Sequence, residues 1–168
     1  VATGLLGGSF DPVHHGHLIA AERAAEALGL AQVVLVPCAR QPLKRQGPVA
    51  APEHRRAMLE LAYTVDTLRA LHARHPGERF VLLLGADAAS DLPRWRSADE
   101  VARLAEVAIL TRPGAPEVRN PLVRHVVATP AIEISASDIR ARCLAGKSIR
   151  YLVPDAVADY IEREHLYR

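Results

Sequence analysis

The sequence predicts an α/β fold: a doubly wound, Rossmann-like parallel sheet with helices on both faces. Three observations carry that expectation. Short β-branched runs alternate with alanine- and leucine-rich stretches of helical spacing along the 168 residues, as in folds that cover a parallel sheet with crossover helices. Two of the apolar runs, Gln32 to Pro37 and Phe80 to Leu84, are continuous rather than alternating, which is the pattern of strands buried on both faces. A glycine-rich connection follows the first apolar run directly and opens a helical stretch, where such sheets place their ligands.

The elements follow in order. Leu5-Leu6 belongs to a short first strand that runs into Gly7-Gly8. His17 to Leu28 is expected to be helical and to stop at Gly29, a common terminator. Gln32 to Pro37 is the second strand. Ala51-Pro52-Glu53 starts a second helix, with Pro52 in the first turn, where its missing N–H costs nothing. Met58, Leu61, Ala62, Val65 and Leu68 keep helical spacing, so the local pattern reads as one helix from Pro52 to about His75. Phe80 to Leu84 is a buried strand ending in Gly85-Ala86-Asp87. Ser97-Ala98-Asp99-Glu100 has the form of a capping box for a helix through Leu104. Val107 to Leu110 and His125 to Ala128 are strands. Ser137 to Leu144 is a helix ended by Gly146, and Pro154 to Arg163 is the last helix. The carboxyl ends of the strands would gather the glycine-rich loop, residues 37–44, Gly85-Ala86-Asp87 and Ser135 to Arg140.

Composition narrows the field without choosing a chemistry. The length suits one domain, 1–168, large enough for a sheet covered by helices. Half the residues are hydrophobic (49%), yet no long uncharged apolar run is present, so no membrane span is expected. A net charge of +2, thinly scattered, does not argue for nucleic acid. Lys44-Arg45 and Arg55-Arg56 read as solvated pairs. Cys38 and Cys143 fit no metal spacing and make no disulfide framework; they are expected to be buried or half-buried thiols in a reducing cytoplasm. No signal peptide is expected, and since Val1 is not an initiator, at least one residue is expected ahead of it. Oligomeric state is not encoded in any feature, and a homo-oligomer is an open alternative.

The chemistry lies in two motifs. In Gly7-Gly8-Ser9-Phe10-Asp11-Pro12-Val13-His14-His15-Gly16-His17, paired glycines let backbone approach a ligand closely. His14 and His17, three apart, share one face at a helix start, where free amides and the macrodipole favour anions. Such a loop suits a polyphosphate held by imidazoles. Some 120 residues later stands Ile134-Ser135-Ala136-Ser137-Asp138-Ile139-Arg140, with Ser137 placed as a helix N-cap and Arg140 as a planar cation.

The pair of motifs, His14-His15-Gly16-His17 and Ile134 to Arg140, resembles the nucleotidylyltransferase superfamily. Within it the chain is similar to the bacterial nicotinate-nucleotide adenylyltransferases. The further matching stretches are Pro42-Leu43-Lys44-Arg45, Tyr63-Thr64-Val65-Asp66-Thr67-Leu68, Gly85-Ala86-Asp87 with Trp95, Arg112-Pro113-Gly114 and Tyr151-Leu152-Val153-Pro154-Asp155. The resemblance implies adenylyl transfer from ATP to nicotinate mononucleotide, with Mg²⁺ carried by the ATP phosphates and no metal held by the protein. It implies catalytic roles for His14, His17, Lys44 and Arg140. On the ATP side it places Gly7, Gly8, Ser9, Phe10, Gly85, Asp87, Ser135 and Ser137. On the acceptor side it places Ser9, Lys44, Thr64, Asp87, Trp95 and Arg112, with the indole of Trp95 stacked on the pyridine ring. Residues of about 135–168 would complete the ATP site.

Simpler readings stand beside these. Trp95 also reads as an edge-of-core tryptophan, Arg112 as a solvated arginine after a strand, and Asp11 as a turn former before proline as much as an outer-sphere partner of magnesium. The family often has Pro-Pro-His-Lys where this chain has Gln41-Pro42-Leu43-Lys44, which removes one imidazole from the acceptor side. The family also has a strand and a loop of about twenty residues before the Tyr63 block. By that resemblance the chain reads as two segments joined at Ala62–Tyr63 rather than one long helix, and residues 114–122 are shorter than usual. The alternatives are phosphopantetheine adenylyltransferase, which typically has Thr at the place of His14 and lacks the Tyr63 block and the tryptophan, and a non-catalytic nucleotide-binding protein on the same fold.

Overall fold

The computed structural model describes residues 1–37, 50–51, 53–54, 64–95, 97–115 and 120–168, with the side chains of residues 64–67 outside that description. Among the described residues five parallel strands form one sheet: β1 (Ala2–Gly8), β2 (Gln32–Pro37), β3 (Arg79–Gly85), β4 (Glu106–Thr111) and β5 (Val123–Ala128). The helices are α1 (His15–Leu28), α2 (Thr64–Arg74), α3 (Ala86–Asp91), α4 (Ala98–Leu104), α5 (Ala136–Leu144) and α6 (Asp155–Arg163). A 3₁₀ turn, Leu92–Arg94, follows α3.

The strand order is β2-β1-β3-β4-β5. The chain therefore leaves β1 in one direction and later returns to β1's other side, which puts the switch point between β1 and β3. The glycine-rich loop is the segment that leaves β1 there. The carboxyl ends are level across the sheet, with Gly8 opposite Pro37, Gly85 opposite Leu110 and Thr111 opposite Ala128.

Side-chain alternation in the central strands builds two cores, one on each face. Leu5, Phe80, Leu82, Leu84, Val107 and Ile109 point to one face and pack with Leu68 of α2, Ala89 of α3 and Val101 of α4. Leu6, Val81, Leu83, Ala108 and Leu110 point to the other and pack with Ala21 and Ala24 of α1, with Val157 of α6 at the margin. The doubly wound sheet with helices on both faces is thus as expected. Among the described residues no helix is long and apolar enough to cross a membrane.

Four local expectations are corrected. β2 is not buried on both faces: among the described strands it lies at the sheet edge, and Val34 is 40% exposed. A continuous β-branched run reports strand propensity, not the number of neighbours a strand acquires. α1 begins at His15 rather than His17, because His14 takes the N-cap place in extended conformation. Ser97 makes no capping box; its backbone is left-handed (φ 57°) and its side chain caps nothing. Its Oγ therefore cannot take up the amide geometry that the box requires. Finally, Ser135 rather than Ser137 caps α5, accepting from the Asp138 amide at 3.1 Å.

The helix start at Pro52, the Ala62–Tyr63 junction, Cys38 and the Pro42-Leu43-Lys44-Arg45 stretch lie outside the described residues. Cys143 is a half-buried free thiol.

Candidate active site

The loop after β1 is organised from beneath. Phe10 takes a left-handed backbone (φ 44°) yet is 1% exposed. Burial of the whole ring offsets the strain of that conformation, which is about 1 kcal/mol. A β-carbon on Gly8 would stand 2.9 Å from the Phe10 ring, so only glycine lets the strand pass over it. The ring edge then supports His17, at 4.9 Å between centroids. The Phe10 side chain is thus the floor of the histidine pair.

His14 and His17 stack at 3.7 Å between centroids and 22° between planes. Gly16 leaves room for this: a β-carbon there would sit 3.1 Å from both Cε1 and Nδ1 of His14. The backbone N–H of His14 donates to Nδ1 of His17 at 3.3 Å. That bond assigns the proton of neutral His17 to Nε2, which becomes the donor. Nδ1 of His14 is buried and has no hydrogen-bond partner among the described residues. An orphaned polar atom at such a place is the mark of a ligand or water position.

Burial, and then the neighbouring His15, lowers the His14 pKa to about 4; burial, and then His14, lowers that of His17 to about 3. Both imidazoles are therefore neutral at pH 7, each with one N–H to donate. These depressed values carry a stability consequence. Below the unfolded value of about 6.5 the unfolded chain binds more protons than the folded one, so stability is full above pH 6.5 and falls as pH drops toward the folded values. After discounting for solvent access, urea unfolding at pH 5 should show about 2 kcal/mol less stability than at pH 7. Equal stability at the two pH values would show that the histidines are not buried neutral.

Asp11 joins the loop to the distant motif. It is 2% exposed. Its Oδ1 accepts from the Ala50 amide at 3.1 Å and from the Tyr167 hydroxyl at 2.7 Å. Arg140 donates from Nη1 to the Asp11 carbonyl at 2.7 Å, lies 3.6 Å from Oδ2, and reaches the Ser137 hydroxyl from Nη2 at 3.4 Å. The two motifs thus meet across 129 residues of chain. The loop also runs close to the second motif and bonds to the chain beyond it. A β-carbon on Gly16 would lie 3.7 Å from the Ile134 carbonyl, and the His15 amide donates to the Leu152 carbonyl at 3.0 Å. The chain reaches this point from β5 through Thr129, whose amide and hydroxyl both donate to the Thr111 carbonyl, at 2.7 and 2.9 Å.

Of the remaining expected residues, Ser9, Gly85, Asp87 and Arg112 stand at or just beyond the carboxyl ends of β1, β3 and β4. Gly85 ends β3, and Asp87 is exposed in the first turn of α3. Trp95 follows the 3₁₀ turn, half-buried, with its amide bonded to the Leu92 carbonyl at 3.0 Å and its ring packed against the core that holds Leu68 and Leu92. That is the edge-of-core position. Arg112 is exposed just beyond β4, and Ser9 is half-buried in the loop. Lys44 and the side chain of Thr64 lie outside the described residues.

Tyr167 was not singled out from the sequence. Its partner lies 156 residues away, and no local pattern marks such a contact. A lone tyrosine next to the last residue given carries no signal of its own.

Residues 5–142 match the cytidylyltransferase-like family model. The chain is 40% identical to "Probable nicotinate-nucleotide adenylyltransferase" of Herpetosiphon aurantiacus, over 98% of this chain and 97% of that protein. Identity to the proteins of the same name from Roseiflexus sp. and Salinibacter ruber is also 40%, over 98% and 100% of this chain and 97% and 98% of theirs. These alignments run over 193 to 196 positions against a chain of 168 residues, so at least 25 positions of each face no residue here. The fold matches the structure of Plasmodium falciparum nicotinic acid mononucleotide adenylyltransferase complexed with NaAD. The TM-score is 0.73 at 19% identity, covering 99% of this chain and 97% of that one.

Proposed function

The chain belongs to the cytidylyltransferase-like family and, within it, to the nicotinate-nucleotide adenylyltransferases, and we propose that its own residues carry adenylyl transfer from ATP to nicotinate mononucleotide as follows. The observation that supports this most is that Arg140 bonds to the Asp11 carbonyl in the same loop that leads into the stacked pair His14 and His17, so that the donors of both motifs belong to the loop after β1, at the sheet's switch point. The relatives' names do not favour the phosphopantetheine alternative.

An oxygen of the acceptor phosphate attacks the α-phosphorus of ATP in line. A P–O bond forms, the bond to the β-phosphate bridging oxygen breaks, and pyrophosphate leaves with the electron pair. The attacking phosphate is already anionic, so no general base is required and no covalent enzyme intermediate forms. Catalysis rests on alignment and on stabilising charge at the leaving oxygens. Nε2–H of His17 donates to the α-phosphate and His14 to the adjoining phosphate. Arg140 holds the β/γ end, with Ser135 and Ser137 beside it and the amides of Gly7 to Phe10 lining the approach. Asp87 meets ribose hydroxyls. Lys44, Thr64 and Arg112 take the acceptor's phosphate and nicotinate ends.

Magnesium enters as part of the ATP substrate. The Asp11 carboxylate, a candidate outer-sphere partner, is turned toward Ala50, Tyr167 and Arg140, so it acts on the loop. The site's described groups are donors suited to phosphate oxygens, whereas magnesium bound to nucleotides keeps mostly waters and phosphate ligands. Residues 1–168 act as one catalytic unit, with 135–168 completing the ATP side; the Arg140, Tyr167 and Leu152 contacts with the loop support this. The reaction, drawing on free nucleotides, belongs in the cytoplasm.

The test is pyrophosphate release with ATP and Mg²⁺, comparing nicotinate mononucleotide, nicotinamide mononucleotide and phosphopantetheine. Preference for the first is expected; preference for phosphopantetheine would overturn the acceptor, and no release with any would leave a binding role. On the acceptor side, Trp95→Ala should raise the acceptor KM about tenfold, the value of one stacked ring, with the KM for ATP unchanged. An unchanged acceptor KM would leave Trp95 as the edge of the core.

A further inference from the structure

We propose that Arg69, His72 and Glu100 form a two-level clasp between α2 and α4 that sets the width of the acceptor subsite, which makes them positioning residues for the acceptor's flat ring. The inference rests on the proposed roles of Thr64 and Trp95 and adds the element that spaces them.

At the upper level Nε and Nη2 of Arg69 donate to Oε1 and Oε2 of Glu100 at 2.8 and 2.6 Å. About one turn further along both helices, Nε2 of His72 lies 2.7 Å from the carbonyl of Leu104, the last residue of α4. A carbonyl only accepts, so this imidazole carries its proton on Nε2; the bond supplies a donor where a helix end lacks one. The His72 ring also meets Phe80 of β3 in a T, at 4.9 Å between centroids. The paired positions advance together, from 69 to 72 and from 100 to 104, so α2 and α4 run parallel. Each helix precedes a strand of the parallel sheet, and both therefore begin at its carboxyl edge, where the site lies.

The clasp spaces the acceptor side. Thr64 opens α2 and Trp95 leads toward α4, each five residues ahead of the upper level. Trp95 packs against the core to which Leu68, the neighbour of Arg69, belongs. Glu100 is also the residue that a capping box at Ser97 would use, and the Arg69 fork takes both of its oxygens instead. Those hydrogen bonds hold the Glu100 carboxyl below its ordinary range, so the pair stays ionised near neutral pH. Ser97 keeps its left-handed turn between Trp95 and α4. An exposed ion pair alone holds little. Its two-point geometry gives direction, however, and the second tie stops α4 from pivoting about the first. Stacking is sensitive to this spacing: a gap widened by about 0.5–1 Å loses a quarter to a half of each contact.

The experiment compares wild type, His72→Phe, Glu100→Ala and the double variant. Arg69 is left in place because it interacts elsewhere too. His72→Phe keeps a ring against Phe80 and removes only the donor, so it tests the lower level without opening the core. The first readout is acrylamide quenching of Trp95, the single tryptophan of the chain, without substrate. The double variant should raise the quenching constant about twofold. The second is steady-state kinetics with each substrate varied in turn. The double variant should raise the KM for nicotinate mononucleotide about five- to tenfold, the scale of one hydrogen bond and one surface ion pair, with the KM for ATP within about twofold. In a Trp95→Ala background the same two changes should alter the acceptor KM less than about twofold, because one wall is already gone. His72→Gln, which keeps a donor at similar reach, should stay close to wild type. Quenching equal to that of wild type overturns the proposal. So does a matching rise in both KM values, or the same rise with and without Trp95, either of which would make the clasp a general brace. Failure of the functional reading looks different: wild type would turn over no nicotinate mononucleotide, while Trp95 quenching would still respond to the clasp variants.

Discussion

His17→Ala is expected to lower kcat by about a hundred- to a thousandfold, the usual cost of deleting one donor to transition-state charge. The expectation follows from three contacts. The Phe10 edge and the His14 face hold the ring in place, and the His14 amide fixes its tautomer with the proton on Nε2. A donor held by packing needs no reorganisation when charge builds on the α-phosphate. Alanine removes the donor and also the acceptor that orients the His14 amide, so the loss falls mainly on kcat rather than on the KM for ATP. Single-turnover kinetics with both substrates saturating would measure it. A variant within a few-fold of wild type would take His17 out of the chemistry and leave it a wall of the loop.

The second large effect is expected at Arg140, and it has two parts. Arg140→Ala should raise the KM for ATP about a hundredfold, because the β/γ end loses its only planar cation from the two motifs. It should also cost about 1–3 kcal/mol of stability, since the Asp11 carboxylate, 2% exposed, loses the cation beside Oδ2. Tyr167 and Ala50 still donate to it, which holds the loss below that of a bare buried charge. Arg140→Lys should recover most of the stability and little of the affinity. One ammonium can stay near Asp11, but it cannot also span to Ser137 as the two guanidinium nitrogens do. Urea unfolding beside ATP titration separates the two parts. Equal recovery of both by lysine would show that charge alone matters and that the planar fork does not.

Much of the fold was open to reading in the chain, and the reasons are local. Phe80 to Leu84 and Val107 to Leu110 are apolar at every position, and both became central strands buried on two faces. The glycine-rich loop was recognisable because a strand, two glycines and a histidine pair follow one another without interruption. Other features depended on neighbours that arrive from far along the chain. β2 has the same β-branched character as the central strands but ended at the sheet edge with Val34 exposed. Ser97 has the residues of a capping box, and the turn before α4 gave it a left-handed backbone that cannot use them. Ser135 and Ser137 both had the chemistry of a cap; the path of residues 129–135 from β5 decided for Ser135.

By itself the sequence determined the class of fold, the family and the chemical groups proposed to meet phosphate, because these depend on residue type, order and short spacing. Tertiary structure alone decided how those groups are held. It set Phe10 beneath His17, left Nδ1 of His14 buried without a partner among the described residues, and brought Asp11, Arg140 and Tyr167 together from separate parts of the chain. Contacts across 129 and 156 residues leave no periodicity or spacing to read. They exist only because the strand order returns distant segments to one switch point, where a buried carboxylate must find its donors.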